Sequence, residues 1–363
     1  MIPGRSQPGT GQPEQQGRPE QGGGNRPESR AAAGAGRQFA EPARLAGVVR
    51  AAFGPGRRLA GVARLRGGSK KGVYRLTFAD DGTAIGYVWA AAENYWPAAP
   101  HEAADIRADP FSDASGAGLF EAAHAQLSAL GVRVPQVYLL DRGRTAYPAD
   151  IALVEDLRGG SLETRLERGA AGAQEAVRQL GAAIAVMHRH RGPRFGKVAF
   201  AGRETGRDTS CEQVVLDRAL ADLGQAAARV ERVAAARGRL EAVTRELAAA
   251  VPPRARYGLI HGELGPDHVL IDGRGHPVII DIEGVMFFDV EWEHAFLRLR
   301  FGEHYRWLRA SDLDDRRLRF YGLALHLSLI AGPLRLLDGD YPDREPMMKI
   351  VEYNIARALA FLP

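Results

Sequence analysis

The chain has 363 residues, 45% of them hydrophobic, with 48 Lys and Arg, 44 Asp and Glu, and one cysteine. That is enough apolar material for one large core or two, and a lone Cys211 excludes an internal disulfide, which points to a reducing, cytoplasmic setting. Of the net charge of +4, residues 1–50 hold seven Arg and four Glu, a balance of +3, so the remainder is nearly neutral and offers no basic face for nucleic acid.

Residues 1–42, rich in Gly, Pro, Gln and Arg, have almost nothing to bury and are expected to form a disordered tail, inert or in contact with an anionic partner. No signal-peptide core follows Met1, and no apolar stretch approaches membrane-spanning length, so no membrane is expected as a partner. From Gly61 the pattern turns strand-like. Val73 to Phe78 alternates, Asp80-Asp81-Gly82 supplies a hairpin turn, and Ala84 to Ala90 runs apolar without a basic residue. Ahead of that hairpin lies Gly67-Gly68-Ser69-Lys70-Lys71-Gly72, a loop of the kind whose backbone N–H groups approach phosphate, although a plain turn has the same composition. Tyr95, Trp96 and the stretch to Pro110 read as a loop that closes over a cleft.

A helix over about 118–130 buries Leu119, Ala122, Ala123, Leu127 and Leu130 on one face. Pro135 to Leu140 and Ile151 to Asp156 complete a five-stranded sheet. Ser161 reads as an N-cap, the stripe Val177, Leu180, Ile184 and Met187 as core, and 212–251 as a long helical stretch. Then His261-Gly262-Glu263 opens a loop, His268 to Ile271 forms a strand, Gly273-Arg274-Gly275 a turn, and Pro277 to Ile280 the return strand, with Asp281 and Glu283 at its end. If this hairpin forms, Glu263, His268 and Asp281 meet at one edge, as a divalent metal and a proton acceptor require. The bland alternative is a pair of structural histidines beside exposed acids.

His261-Gly262-Glu263, His268 five residues after Glu263, and Asp281 at the hairpin end resemble the H-G-D-x-x-x-x-N and distal Asp of the aminoglycoside phosphotransferase and choline kinase superfamily, small-molecule kinases of protein-kinase-like fold. The resemblance extends from about Leu45 to Phe361. It implies an α+β, two-lobed fold, with a small antiparallel-sheet N-terminal lobe over 43–156 and a larger, mostly helical C-terminal lobe over 157–363. It also implies an ATP-dependent phosphotransferase acting on a hydroxyl of a small molecule, aminoglycoside-, sugar- or amino-alcohol-like, with Mg²⁺ or Mn²⁺.

By the same resemblance Glu263 stands for the catalytic Asp, His261 for the scaffold histidine, and His268 and Asp281 for the metal ligands. Gly68, Ser69, Lys70, Lys71 and Gly72 would cradle phosphate. Glu121 stands where the family pairs an acid with a third-strand lysine; since that lysine is missing, Lys70 or Lys71 is expected to replace it. Backbone groups near Val154 and Asp156 would bond an adenine edge. Asp289 would brace the loop, leaving Glu291 and Glu293 beside aromatics as freer acids for a cationic substrate. Two departures bear on chemistry: Glu for Asp adds a methylene, and His for Asn replaces a hard oxygen with an imidazole that suits Mn²⁺ or Zn²⁺. Two other readings stay open. One is a nucleotide-binding pseudokinase with a regulatory role; the other is a metal hydrolase using His261, Glu263, Asp267, His268 and Asp281.

Overall fold

The alternating segments pair into a five-stranded antiparallel sheet of β1 (Leu59–Arg64), β2 (Gly72–Phe78), β3 (Thr83–Trp89), β4 (Val137–Asp141) and β5 (Asp150–Glu155), in the order β1-β2-β3-β5-β4. The structure is a computed structural model and describes residues 37, 39–66, 68–97, 110–112, 115–201 and 209–363. All elements lie in the unit of residues 38–363; the expected disordered tail falls almost wholly outside the described residues. Its expected end at residue 42 is late, because Ala40 N–H already donates to Tyr74 Oη and helix α1 (Pro42–Phe53) begins at Pro42. The part of the Tyr95 to Pro110 loop at 98–109 also lies outside the described residues.

Period-two alternation divides the sheet between two cores. Leu76, Phe78, Ala84, Val88, Ile151 and Leu153 pack with Leu45, Val48 and Val49 of α1. Ile85, Tyr87, Ala152 and Val154 face the other way, against Phe120, Ala123 and Leu127 of α2 (Ala117–Ala129). That second core runs on without a break into Val177, Leu180 and Ile184 of α4 (Ala173–Arg189) and into Leu259, Val269, Ile271, Ile279 and Ile282. The short α3 (Leu162–Glu167) precedes α4, and its expected cap is present: Ser161 Oγ accepts from Thr164 N–H. A third core joins α5 (Cys211–Ala227) and α6 (Glu231–Ala249), into which the stretch 212–251 divides, with later helices.

Two small sheets place the segments on either side of the 261–283 block. The chain forms β6 (Arg191–Gly192), β7 (Gly196–Lys197), β8 (Tyr257–Ile260), β9 (Val269–Ile271), β10 (Pro277–Ile279) and β11 (Met286–Phe288). β9 and β10 are the anticipated hairpin, with Val269 opposite Ile279. β6, β8, β11 and β7 make a sheet whose strands of two to four residues carry no period of their own; Met286 lies opposite Ile260, which brings the start of the 261–268 loop against the segment after Asp281. Helices α7 (Val290–Phe301), α8 (Asp315–Leu337) and α9 (Arg344–Leu359) complete the chain. The architecture is the expected α+β one, an antiparallel sheet followed by a mostly helical part. One expectation fails. α8 is long and apolar enough to cross a bilayer by length and composition, with mean hydropathy 1.4, but 67% of its apolar window is buried inside the protein, as in a core helix.

Two buried histidines give this part a pH dependence. His188 and His294 lie with ring centroids 5.2 Å apart, and neither Nε2 has a hydrogen-bond partner among the described residues. Burial, then repulsion from His294 and Arg191, lowers His188 to about 3; burial lowers His294 to about 4 against the pull of Glu291 and Asp312. Because unfolded histidine titrates near 6.5, stability present above that pH is lost as pH falls toward the folded values, ~2 kcal/mol for each at pH 5. Thermal melts should show Tm falling by roughly 5–10 °C from pH 7 to pH 5. H188Q and H294Q should flatten the slope, and a slope unchanged in both variants would contradict the assignment.

Candidate active site

The loop after β8 is fixed by buried polar groups. His261 is 1% exposed; its Nε2 lies 2.9 Å from Ile280 O, and Glu263 N–H donates to its Nδ1 at 3.4 Å. This pattern places the proton on Nε2, and burial, reinforced by His268, holds the imidazole pKa down at about 4, so the ring is neutral. Gly262 has φ +95°, a conformation that favours glycine, and an added Cβ would also stand 3.1 Å from Met286 Cε. Trp292 Nε1 donates to Gly262 O at 3.1 Å. Glu293 Oε2 accepts from His261 N–H at 2.5 Å and Gly262 N–H at 3.1 Å. Burial nevertheless raises that carboxyl to about 7.

These contacts correct the roles expected of the acids after the hairpin. Glu291 and Glu293 are each 1% exposed, Glu293 bonded through Oε2 to the loop backbone and Glu291 through both oxygens to Arg254 at 2.7 and 2.9 Å. Neither is free for a cationic substrate. Both stand in the first turn of α7, where the helix is buried on nearly all sides. Asp289, expected to brace the loop, is instead bonded to Arg317 and, at 2.5 Å, to Tyr321 Oη, both on the later helix Asp315–Leu337, and Glu293 takes over the hold on the loop backbone.

The other predicted residues meet where β9 and β10 end. Glu263 is exposed, and its carboxylate has no recorded partner among the described residues; its carbonyl lies 2.9 Å from His268 Nδ1. His268 Nε2 is then 3.7 Å from Asp281 Oδ2 and 3.8 Å from Asp267 Oδ2. Burial works against the imidazolium, but Asp281 and Asp267 outweigh it and raise the His268 pKa. Asp281 adopts φ 59°, ψ 44°, the left-handed region rare for a side-chain-bearing residue, and so turns the chain between β10 and Glu283. The metal-hydrolase reading fails here. Both His261 nitrogens are taken by backbone, and no group of three or more His, Cys, Asp or Glu able to hold a metal forms among the described residues.

Lys71 closes the site from the sheet side. Its Nζ lies 2.5 Å from Asp281 Oδ1 and 2.6 Å from Glu283 Oε1, and 5.2 Å from the Tyr87 ring centroid. Burial alone would lower this amine; Asp281 and then Glu283 reverse that and hold it far above its ordinary value. Asp281, which burial would raise, is held well below the usual carboxylate range by Lys71 and His268. Trp89 Nε1 adds a 3.3 Å bond to Glu283.

Of the two candidate lysines, then, Lys71 faces the acids. Lys70 instead places its Nζ 5.4 Å from the Trp96 ring centroid, and its carbonyl accepts from Ser115 Oγ. The expected pairing with Glu121 is overturned: Glu121 lies on the exposed side of α2 and bonds Arg142 at 2.7 Å. Gly68 packs against the Lys71 carbonyl. At Gly72 an added Cβ would fall 2.5 Å from the Glu93 carboxyl carbon, so this glycine makes room for a buried acid rather than for a ligand. Ser69 is held by the Tyr95–Trp96 segment: Tyr95 N–H donates to Ser69 O at 2.8 Å and Trp96 Nε1 to Ser69 Oγ at 3.0 Å. That segment also packs on α8 and its following turn, Tyr95 edge-on to Tyr341, with Leu336 and Leu337 in the same cluster. Val154 has ladder partners on both sides, Ile85 and Val137, so backbone open to an adenine edge begins only past Glu155. The Asp156 carboxylate is occupied by Arg75 at 2.8 and 3.0 Å.

Comparison with solved structures finds this fold in phosphotransferases. A thermostable mutant of aminoglycoside phosphotransferase APH(4)-Ia, apo form, superposes with TM-score 0.57 at 16% identity, over 87% of this chain and 99% of that one. Spectinomycin phosphotransferase APH(9)-Ia, in complex with ADP and spectinomycin, gives TM-score 0.60 at 13% identity, over 89% and 99%. LicA in complex with AMP gives 0.54 at 11%, over 87% and 97%. The fold is therefore the expected protein-kinase-like one. No curated protein sequence matches the chain. The profile of the phosphotransferase enzyme family, APH, matches residues 107–326, more than half of the chain and the whole stretch from α2 through the 261–283 block. This chain belongs to the APH phosphotransferase enzyme family.

Proposed function

We propose that the protein is an ATP-dependent kinase that phosphorylates a hydroxyl of a small molecule of aminoglycoside, sugar or amino-alcohol type. The observation that carries this reading is one buried ammonium, Lys71, held against Asp281 beside the exposed carboxylate of Glu263. Phosphoryl transfer asks mainly for positioning and charge neutralisation. Lys71 supplies a fixed positive charge under the loop of residues 68–72. Glu263 would orient and deprotonate a hydroxyl, and His261 holds the loop that carries Glu263 through Ile280 O. The segment past Glu155 supplies free backbone for a nucleotide base.

The donor set fits a divalent ion. The Asp281 side chain is 45% exposed, with Oδ2 turned toward His268 Nε2. Mg²⁺ is commonly held by only one or two protein carboxylates together with substrate phosphates and water, and imidazole makes Mn²⁺ a good alternative. Bound there by Asp281 and His268, the ion would supply neutralisation of phosphate charge. Glu291 and Glu293, being buried, would not contact a cationic substrate directly.

Thermal shift with ATP should raise Tm, by more when Mg²⁺ or Mn²⁺ is added, and Asp281→Ala should remove the metal-dependent increment. Absence of any nucleotide response with every divalent ion would overturn the reading. ADP release with hydroxyl-bearing amines and sugars separates an enzyme from a protein that binds nucleotide without transfer.

A further inference from the structure

We infer that Glu283 is the residue that positions Lys71 for phosphate, taking over from the C-terminal part of the chain the duty for which Glu121 on α2 was the sequence candidate. The inference rests on the functional reading above and adds a role to a residue outside it. Lys71 touches two carboxylates of different character. Asp281 has a 45% exposed side chain opening on the cleft; Glu283 is 2% exposed beneath it, 2.6 Å from Nζ. The left-handed turn at Asp281 brings both acids to one ammonium while Ile282 between them enters the core. α2 contributes no acid to this cluster, because Glu121 is bound to Arg142 at the surface.

The two contacts are not equivalent once phosphate arrives. Asp281 is the acid a divalent ion would share, so its hold on Lys71 is exchangeable. Glu283 is buried, and its Oε1 is also bonded by Trp89 Nε1 from β3 at 3.3 Å. It therefore keeps the amine in place when Asp281 lets go. An ammonium has three donors, so with one directed at Glu283 the others remain for phosphate oxygens. The Tyr87 face 5.2 Å away restricts the side chain further. An acid two residues past the Asp thus ties the lysine to the catalytic floor, and its position does not depend on how α2 sits.

The test uses the full-length protein and calorimetric titration of ADP and of adenosine, with Lys71→Ala, Glu283→Gln, the double variant and Glu283→Asp. Glu283→Gln should weaken ADP roughly 10-fold or more while leaving adenosine within about 2-fold, as for loss of an oriented charged donor. Glu283→Asp should recover part of the loss. In the Lys71→Ala background Glu283→Gln should change ADP affinity no further, since residues acting as a unit are non-additive. If Glu283→Gln unfolds the protein, Trp89→Phe, which removes only the indole donor, should still shift ADP and spare adenosine. Equal losses for both ligands, additivity with Lys71→Ala, or recovery of ADP binding by excess Mn²⁺ would each overturn the proposal, the last by making Glu283 a metal ligand. A parent protein that binds adenosine but gains nothing from ADP phosphates would overturn it together with the functional reading. Tight ADP binding lost in Lys71→Ala but kept in Glu283→Gln would remove the Glu283 role alone.

Discussion

Lys71→Ala should lower kcat/KM for ATP by ~10²–10³, the range seen when one preorganised donor to developing charge is removed. The structural cause is specific. Removing the amine deletes the only recorded ion-pair partner that Glu283 has among the described residues and leaves two carboxylates around one site. Like charges at that separation cannot both stay ionised cheaply, so one acid takes up a proton, and the metal binding proposed for Asp281 would fall too. Leaving a buried charge without its partner costs ~3–5 kcal/mol, so the variant should also melt earlier. Lys70→Ala removes a side chain lying over Trp96 and should change kcat/KM by no more than about 3-fold, within the spread of ordinary surface substitutions. Steady-state kinetics on the two variants decides the matter, and comparable losses in both would refute the choice of Lys71.

Glu263→Gln should reduce kcat by about 10² or more with nucleotide affinity kept, the size expected for loss of a positioned base. The carboxylate is exposed at the loop tip while the backbone beneath is fixed on both sides, by His261 Nδ1 at its N–H and by His268 at its carbonyl. The side chain is thus free where the peptide is not. Glu263→Asp shortens the reach by about 1 Å, and with the loop unable to follow, a displacement of that size can cost up to ~10²-fold. The native residue should therefore outperform Asp. A Gln variant as active as the parent would remove Glu263 as the base even if ATP is consumed.

The hairpin of β9 and β10 and the five-strand sheet were legible because their residues form short apolar or alternating runs and the turns at residues 80–82 and 273–275 carry Asp-Gly and Gly, which are local signals. The choice between Lys70 and Lys71 was not, since adjacent residues differ only in which way each side chain points, and the deciding partners lie at positions 281 and 283. Glu121 was given the pairing role by the family resemblance alone, which fixes a position along the chain without saying what packs there; the structure turns it toward Arg142. Glu291 and Glu293 looked exposed for an equally plain reason. Acids are seldom fully buried, and only the loop amides and Arg254, distant in sequence, reveal that these two are. Glu283 has no local signature at all: it is one more acid at the end of a strand until a lysine from β2's leading edge meets it.

If residues 68–72 cradle phosphate as proposed, the segment at Tyr95 and Trp96 makes that loop answerable to the far end of the chain. Ser69 accepts from the Tyr95 backbone N–H and from Trp96 Nε1, and the side chains of these two residues rest on Leu336, Leu337 and Tyr341. Lifting the loop to admit or release a nucleotide therefore means either breaking two hydrogen bonds at Ser69 or peeling two aromatic rings from the helical corner. On the proposed function, nucleotide exchange would in this sense be throttled from a distance. Substitutions around Tyr341, remote from every phosphate-contacting group, will register as altered rates of nucleotide arrival and departure rather than as altered chemistry.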